Sequence, residues 1–185
     1  MIKNLKIICQ YIKSDFVRYG TKPTLFNILL TIALETNHCL RYLIWLRLSS
    51  KRNIFRLLAK YMRKKYSIRY GIDIPHATSI GYGLYIGHGI GIVVNPTAVI
   101  GNNCNLSQFT TIGSNDGQGA IIGDNVYIGP SVCIVEDVKI GNNVTIGAGA
   151  VVVKDIPDNA TAAGVPARVI SYSRPGRYII RRWIA

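Results

Sequence analysis

The sequence is poor in acidic residues and in histidine. Its 185 residues contain 9 Asp and Glu against 22 Lys and Arg, and only 3 His. Residues 1–70 hold 15 basic residues against 2 acids and residues 171–185 hold 4 against none, whereas residues 71–170 hold 3 against 7. A uniformly basic chain would suggest nucleic acid as a partner, but here the basic charge is confined to the two ends. We therefore expect no nucleic-acid binding and at least two regions with different partners.

Cysteine pairs and long apolar runs are also missing. Cys9, Cys39, Cys104 and Cys133 form no CxxC pair and no zinc-type spacing. No N-terminal segment combines a long apolar run with a small-residue cleavage site, so a reducing, cytoplasmic location is the expectation. The longest uncharged stretch near the N terminus, residues 23–34, has 12 residues, fewer than the roughly 20 that span a bilayer.

Residues 1–70 have the composition of a basic α-helical region. Apolar residues are dense in residues 25–48, and residues 54–66 alternate apolar residues and cations at helical spacing. Two interpretations stay open. The apolar faces pack on each other or on a second subunit, or a basic amphipathic segment lies on an anionic membrane surface as a peripheral contact.

Residues 71–170 have a different texture, because an aliphatic residue recurs there every six positions. The series is Ile74, Ile80, Ile86 and Ile92, then Ile100, Leu106 and Ile112, then Ile122, Ile128, Ile134, Ile140, Ile146 and Val152. A period of six fits neither a helix nor a hairpin meander. It is typical of a triangular solenoid, in which three strand-and-turn units close one 18-residue coil. The 13 positions predict a little over four coils, with the aliphatic side chains inward and glycine supplying the turn conformations.

Two interruptions of the period predict surface loops, because a solenoid can add residues only where they leave the stack. The step from Ile92 to Ile100 is eight residues, which predicts two extra residues around residues 95–96. The step from Ile112 to Ile122 is ten, which predicts four extra residues within SNDGQG, residues 114–119. Loops that leave a rigid scaffold are where binding groups are commonly found.

The basic C-terminal tail, residues 171–185, includes SRPGRYIIRRWIA. An uncovered solenoid end would expose strand edges and core, so we expect the tail to cap the last coil. Contact of its arginines with phosphate or lipid is the alternative.

Four segments carry a resemblance to a known family: DIPHATSIG, IGHGIGIVVNPTAVIG, IGAGAVVVKDIP and TAAGVPARVI. They resemble the hexapeptide-repeat acyltransferases, and within them the serine acetyltransferases and the acetyltransferases of colanic acid, capsule and O-antigen synthesis. The resemblance covers residues 72–170. It implies a mainly β fold, a left-handed parallel β-helix behind an N-terminal α-helical region, against the usual crossover preference. It also implies a homotrimer, and leaves open whether two trimers pair.

The resemblance implies a catalytic base and a residue that orients it. His88 matches the family's base, and Asp73 matches the aspartate, 15 positions earlier. Because one coil has 18 residues, residues 15 apart lie on neighbouring coils near the same corner. An alcohol attacks a thioester poorly unless its proton leaves, and an imidazole with an ordinary pKa of about 6.5 suits that task. Asp73 would fix the tautomer. His76 is a secondary candidate, one position away from the histidine of the serine-specific DIHP pattern, and His38 lies in the helical part.

The resemblance also implies acetyl-CoA as the acyl donor, with no metal, bound in a groove between two solenoids. Small residues would let backbone groups approach the ligand, and cations would meet its phosphates. The matched positions are Gly113 and Ser114 near the thioester, Ala148 along the pantetheine arm, Ala163, Gly164 and Arg168 toward the nucleotide, and Lys154 as a further phosphate contact.

The loop at residues 114–119 departs from the serine acetyltransferases, which carry an Arg-His pair there. The aspartate that their longer helical region contributes to the acceptor pocket also has no evident counterpart. The carboxylate of a bound serine would have no cation to pair with in this loop. We therefore expect the acceptor to be a sugar hydroxyl of a cell-surface polysaccharide or its precursor. The acetylation would take place at the inner face of the membrane. The alternative is serine O-acetylation in cysteine biosynthesis. Asn95, Asp116 and Gln118 are the candidate acceptor-binding residues.

Two functions of other classes fit less well. A γ-type carbonic anhydrase needs three histidines around one metal, and His38, His76 and His88 include no pair 18 apart. An inactive scaffold or an ice-binding solenoid would show a face of one residue type, such as a threonine ladder, and would not need Asp73 with His88.

Overall fold

The computed structural model describes residues 2–184. Met1 and Ala185, at the outer ends of the predicted N-terminal region and tail, lie outside the described residues. Four helices come first: α1 (Ile2–Arg18), α2 (Leu25–Leu34), α3 (His38–Ser50) and α4 (Arg56–Tyr70). Within residues 2–184, no helix combines the length and the apolar character that crossing a bilayer requires.

Fifteen short strands follow the helices. They are β1 (Ile72–Asp73), β2 (Ser79–Ile80), β3 (Tyr85–Gly87), β4 (Ile92–Val94), β5 (Val99–Ile100), β6 (Asn105–Ser107), β7 (Thr111–Ile112), β8 (Ile121–Ile122), β9 (Tyr127–Ile128), β10 (Cys133–Ile134), β11 (Lys139–Ile140), β12 (Thr145–Ile146), β13 (Val151–Val152), β14 (Thr161–Ala163) and β15 (Arg168–Ser171).

Local sequence sets the helix ends. The side chains of Thr24 and Asn37 accept hydrogen bonds from the first-turn amides of α2 and α3, which satisfies donors that have no partner within a helix. Helix α4 ends at Gly71, which adopts the left-handed conformation with φ of 65°. The change from helix to strand therefore falls at residues 70–72.

The strands form a parallel β-solenoid with three sheets. Sheet A has the order β1-β4-β7-β10-β13, sheet B has β11-β8-β5-β2, and sheet C has β15-β14-β12-β9-β6-β3. Consecutive strands visit the sheets in turn, so three strands make one coil. The fifth coil is completed by β13, by a bridge between Ile156 and Ile140, and by β14. The structure thus has about five coils, one more than the aliphatic series suggested.

The predicted inward side chains form the core. Of the 13 positions, 12 are buried and Ile80 is half-buried. Leu106, Ile128 and Ile146 stack in register on sheet C, and all three are inaccessible to solvent. Because this apolar column runs the length of the solenoid, each coil buries the core face of the next.

The two extra residues of the first interruption lie elsewhere than predicted. Val94, rather than Ile92, stands opposite Ile112 in the ladder. Val94 and Ile100 are then one ordinary six-residue unit apart, so the additional residues precede Val94. They belong to the turn that carries His88, and the prediction of an insertion around residues 95–96 is wrong.

The repeat glycines also act differently from the prediction. Among the described residues, the glycines after the inward position, such as Gly101, are not in the left-handed region, whereas Asn103, Asn125 and Asn143 are. A Cβ on Gly101 would lie 2.5 Å from the carbonyl oxygen of Gly123 in the next coil. Close approach between coils explains Gly101 and the similarly placed Gly81, Gly123, Gly129 and Gly141, but not Gly113. Asparagine, which tolerates positive φ, forms many of the turns.

Two tyrosines of the helices cover strand edges of the first coil. The Tyr42 hydroxyl donates to the carbonyl of Ile74 at 3.1 Å and accepts from the amide of Ile74 at 3.0 Å. The Tyr19 hydroxyl makes the same pair of bonds with Ile86, at 2.9 and 3.0 Å. Each hydroxyl replaces the missing neighbouring strand, which removes an exposed edge.

A buried ion pair closes the remaining side of the first coil. The Arg47 guanidinium donates to both carboxylate oxygens of Asp15, at 2.8 and 2.9 Å. It also donates to the carbonyls of Ile80 and Gly81, and Asp15 accepts from the amide of Leu84. The two side chains are 4% and 1% exposed. The helical region is therefore the N-terminal cap of the solenoid.

The C-terminal tail does not sit over the last coil. Strand β15 pairs antiparallel with β14 and covers that edge of sheet C. The chain then runs back along the flank of the solenoid, where the amide of Gly176 donates to the carbonyl of Asn143 at 2.7 Å and the amide of Trp183 donates to Oδ1 of Asn103 at 2.7 Å. The prediction that the tail caps the last coil is wrong, because its backbone groups find partners on the earlier coils.

Candidate active site

His88 lies in the enlarged turn between sheet C and sheet A. It is exposed and has φ of 54°, a left-handed conformation that few residues other than glycine adopt. The carbonyl of His88 accepts from the amide of Ile90 at 2.8 Å, and the amide of Gly89 points to Sγ of Cys39 at 3.3 Å. The turn is thus held from the helical side by α3.

Two glycines allow the turn to pack closely. A Cβ on Gly89 would lie 2.6 Å from Cδ1 of Ile72 and 2.7 Å from Cys39, and a Cβ on Gly91 would collide with the ring of Phe109 in the next coil. Gly91 also has φ of 65°. The GHGIG sequence therefore fixes where the imidazole of His88 projects.

A cavity of about 650 Å³ opens beside His88. Its lining comes from the end of α2, the start of α3, the end of α4 and the enlarged turn: Glu35, His38, Arg69, Tyr70, His88, Gly89 and Ile90. The helical region thus supplies an acid, a guanidinium and a phenol next to the imidazole. The motif pattern missed Glu35, Arg69 and Tyr70. One available signal was that Glu35 is one of only two acids in residues 1–70.

Glu35 is held as a carboxylate by its neighbours. Its oxygens accept a hydrogen bond from the Tyr70 hydroxyl and lie 3.1 Å from guanidinium nitrogens of both Arg41 and Arg69. The bond from Tyr70 and the two cations lower the pKa of Glu35 below its ordinary value. Burial, and then the bond to Glu35, raises the pKa of Tyr70 to about 12, so Tyr70 remains a donor.

Asp73 has other partners than the one predicted. It lies on β1 opposite Val93, and its Oδ1 accepts from the hydroxyl of Ser67 at 3.3 Å and lies 3.7 Å from Arg63. Within residues 2–184 no hydrogen bond joins Asp73 to His88. The role of Asp73 in orienting His88 therefore stays a prediction.

The other two histidines occupy different places. His76 lines a separate cavity with Arg47 and Thr78, and burial, followed by the charges of nearby Lys60, Arg63 and Arg56, lowers its pKa. His38 lines the cavity of His88 and stacks edge-on against Tyr70 at 5.3 Å.

The predicted acceptor residues are not next to His88 in the same chain. Asn95 caps its own turn by accepting from Thr97 and donates to the carbonyl of Ser114 at 3.3 Å. The amide of Gln118 donates to Asp137 at 3.1 Å. Asn95, exposed Asp116 and Gln118 all lie between sheets A and B, one sheet away from His88, and in the described chain none of them lines its cavity.

The predicted CoA positions divide between two edges of the solenoid. Ala148 and Gly164 follow strands of sheet C, Ala163 is the last residue of β14, and all three share the edge of His88. Gly113, Ser114 and Lys154 follow strands of sheet A and lie along the next edge, and Arg168 begins β15. The predicted CoA positions of one chain therefore lie on two separate edges of the solenoid.

The tail adds two cations to the edge of His88. A cavity of about 470 Å³ is lined by Gly147 and Ala148 on one side and by Arg174 and Arg177 of the tail on the other. Arg177 also lies over the ring of Tyr178, with 4.9 Å between its guanidinium carbon and the ring centroid. The tail, read from sequence as a cap, instead borders a predicted CoA position.

In the part of the chain that the structure describes, no three His, Cys, Asp or Glu side chains are grouped so that they could hold a metal ion.

Comparison with protein families and curated sequences places these features among known transferases. The family described as bacterial transferase hexapeptide (six repeats) matches residues 119–154. The serine acetyltransferase of Haemophilus influenzae is 37% identical over 127 residues, which are 65% of this chain and 46% of that protein. The chloroplastic serine acetyltransferase 1 of Arabidopsis thaliana is 41% identical over 119 residues, 62% of this chain and 38% of that protein. The chain spans less than half the length of these curated relatives.

Solved structures extend the similarity into the helical region. The Neisseria gonorrhoeae serine acetyltransferase in complex with serine superimposes with a TM-score of 0.72 and 32% identity, over 90% of this chain and 72% of that one. A serine acetyltransferase in complex with CoA gives a TM-score of 0.70 and 30% identity, over 89% of this chain and 69% of that one.

Proposed function

Because this chain belongs to the serine acetyltransferase-like hexapeptide-repeat transferases, we propose that it transfers the acetyl group of acetyl-CoA to the hydroxyl of L-serine. The similarity to a serine acetyltransferase structure that holds serine carries this proposal. The comparisons give no support to the sugar acceptor that the loop sequence suggested, and the serine alternative fits them better.

The cavity beside His88 has the charges that a zwitterionic amino acid requires. Arg69 supplies a cation for the α-carboxylate, and Glu35 supplies an anion for the ammonium group. Charge-assisted hydrogen bonds of this kind are stronger than neutral ones. Arg69 would supply the cation that the loop at residues 114–119 lacks. Glu35 would replace the acceptor-pocket aspartate that has no evident counterpart in this sequence.

The reaction needs one proton carrier. His88 accepts the proton of the serine hydroxyl while the oxygen attacks the thioester carbon. When the tetrahedral intermediate collapses, the C–S bond breaks and the proton returns from His88 to the departing sulfur. The products are O-acetylserine and free CoA, so atoms and charges balance. Asp73 is proposed to hold the tautomer of His88.

Acetyl-CoA would lie along the edge shared by His88 and Ala148, with the second edge contributed by a neighbouring copy. The division of the predicted CoA positions between two edges supports a homotrimer in which each groove lies between two solenoids. Arg174 and Arg177 border this edge and are proposed, with Arg168 and Lys154, to contact the phosphates.

Thiol release from acetyl-CoA tests the proposal, with wild type and His88→Ala compared without acceptor, with L-serine, and with a panel of glycans. We expect release that depends on serine and that falls by about 10²–10⁴-fold in His88→Ala. Release with a glycan but not with serine would restore the sugar acceptor. Equal rates for the two proteins would remove His88 from the mechanism.

A further inference from the structure

Helix α2 has eight apolar residues among its ten and is yet exposed. Its sequence, LFNILLTIAL, has no charged residue, and of its ten residues only Thr31 is buried. Leu25 and Phe26 are 72% and 71% exposed. A helix that is hydrophobic all round is normally covered, either by protein or by lipid. At ten residues α2 is too short to cross a bilayer, so it would have to lie parallel to a surface.

A second exposed apolar segment lies across a groove from α2. Ile54, Phe55, Leu57 and Leu58, at the start of α4, are more than half exposed, Leu57 by 84%. The groove measures about 680 Å³ and is lined by α1, α2, α3 and this segment, including Ile12, Leu29, Trp45, Phe55 and Leu58. We call α2, the groove and residues 54–58 the apolar face. Exposed apolar surface of this extent marks an interaction site.

The charges around the apolar face are of one sign. Residues 1–70 contain 15 Lys and Arg against two acids. Both acids already have partners, Asp15 in the buried pair with Arg47, and Glu35 at the His88 cavity with Arg41, Arg69 and Tyr70. Among the described residues, neither Asp15 nor Glu35 forms an ion pair with Lys13, Lys22 or Arg52.

Three of those cations lie in the groove or close in sequence to the apolar face. Lys13 lines the groove, Lys22 stands shortly before α2, and Arg52 precedes Ile54. All three are exposed. Apolar side chains between lysines and arginines are the composition of helices that bind the interface of an anionic membrane.

We infer that the apolar face docks on a lipid bilayer that carries anionic headgroups. The apolar side chains enter the acyl boundary, and the cations meet the headgroups. A second copy of the chain is a poorer occupant, because it would bring an equally basic region face to face with the first. The inference is independent of the acceptor and of the catalytic residues.

Sedimentation of the full chain with vesicles tests the inference. We expect binding to phosphatidylcholine vesicles that contain phosphatidylglycerol, and little binding to phosphatidylcholine alone. Leu29→Ser, on the apolar face, should weaken binding about tenfold, since one apolar side chain no longer leaves water. Lys22→Glu should also weaken vesicle binding, and its effect should be larger at low salt than at high salt.

Matched controls are available on the solenoid. Ile170→Ser replaces another exposed aliphatic residue and Lys139→Glu another exposed cation, far from the apolar face. Both should sediment like wild type. Equal binding of all variants, or no binding of wild type to anionic vesicles, would overturn the inference. So would light scattering that shows a larger assembly dissolved by Leu29→Ser, because a second copy would then cover the face.

Discussion

The backbone at His88 shows how a single residue is placed by its neighbours. A histidine with φ of 54° adopts a conformation that costs free energy, and it persists because the surroundings hold it. Here Gly89 packs against Ile72 and Cys39, and Gly91 packs against Phe109, so each side of the turn rests on another element. The position of the imidazole therefore depends on the helical region as well as on the solenoid.

At the same scale, the charges of the His88 cavity lead to a prediction for substrate affinity. Arg69→Gln and Glu35→Gln should each raise KM for L-serine about tenfold, or about 1.4 kcal/mol, because each removes one ionic contact of the zwitterion. KM for acetyl-CoA should stay within experimental error. Steady-state kinetics with each substrate varied in turn measures both constants.

Lys65→Gln provides the control for this pair of variants. Lys65 is an exposed cation on the same helix, α4, and does not line the cavity. It should leave both constants at the wild-type value. An unchanged KM for serine in Arg69→Gln would mean that the carboxylate is bound elsewhere, and the proposed arrangement of the acceptor would then be wrong.

At the scale of elements, the helices act as the cap that the solenoid needs. Arg47→Met should lower the free energy of unfolding by about 3–5 kcal/mol, because Asp15 would remain buried without its partner. The double variant Asp15→Leu/Arg47→Met should recover part of this loss, since no unpaired charge is left. Denaturant unfolding measures both changes.

Arg52→Met is the matched substitution for the cap, since it removes an exposed arginine of the same region. Its unfolding midpoint should equal that of wild type. If Arg47→Met unfolded at the same denaturant concentration as Arg52→Met, the buried pair would not stabilise the cap.

The periodic elements were predictable, and the departures from the period were not. The inward series follows from sequence because every coil repeats one pattern. Ile92 and Val94 are both apolar and both buried, so only the ladder reveals that Val94 continues the stack and that the insertion surrounds His88. Glu35 and Arg69 reach His88 through helix packing, which no local motif encodes.

At the scale of the whole molecule, the predicted CoA positions of a single chain do not share one edge. His88 and Ala148 lie on one edge of the solenoid, and Gly113, Ser114 and Lys154 lie on the next. A ligand that touches both sets must lie between copies, as a head-to-tail ring of identical subunits would arrange them. Activity should then depend on assembly, even though each chain has its own core.

Mixing two inactive chains distinguishes a shared site from a site within one chain. Gly113→Val should fold normally, since the nearest atom to an added Cβ is 3.9 Å away, but it should block backbone approach to acetyl-CoA. Co-expressed in equal amounts with His88→Ala, it should restore about one quarter of wild-type activity, the fraction of interfaces that combine an intact His88 with an intact Gly113. Wild type co-expressed with the double variant His88→Ala/Gly113→Val should also give about one quarter if sites are shared, and about one half if each chain is complete. No recovery in the first mixture together with one half in the second would place the whole site within one chain.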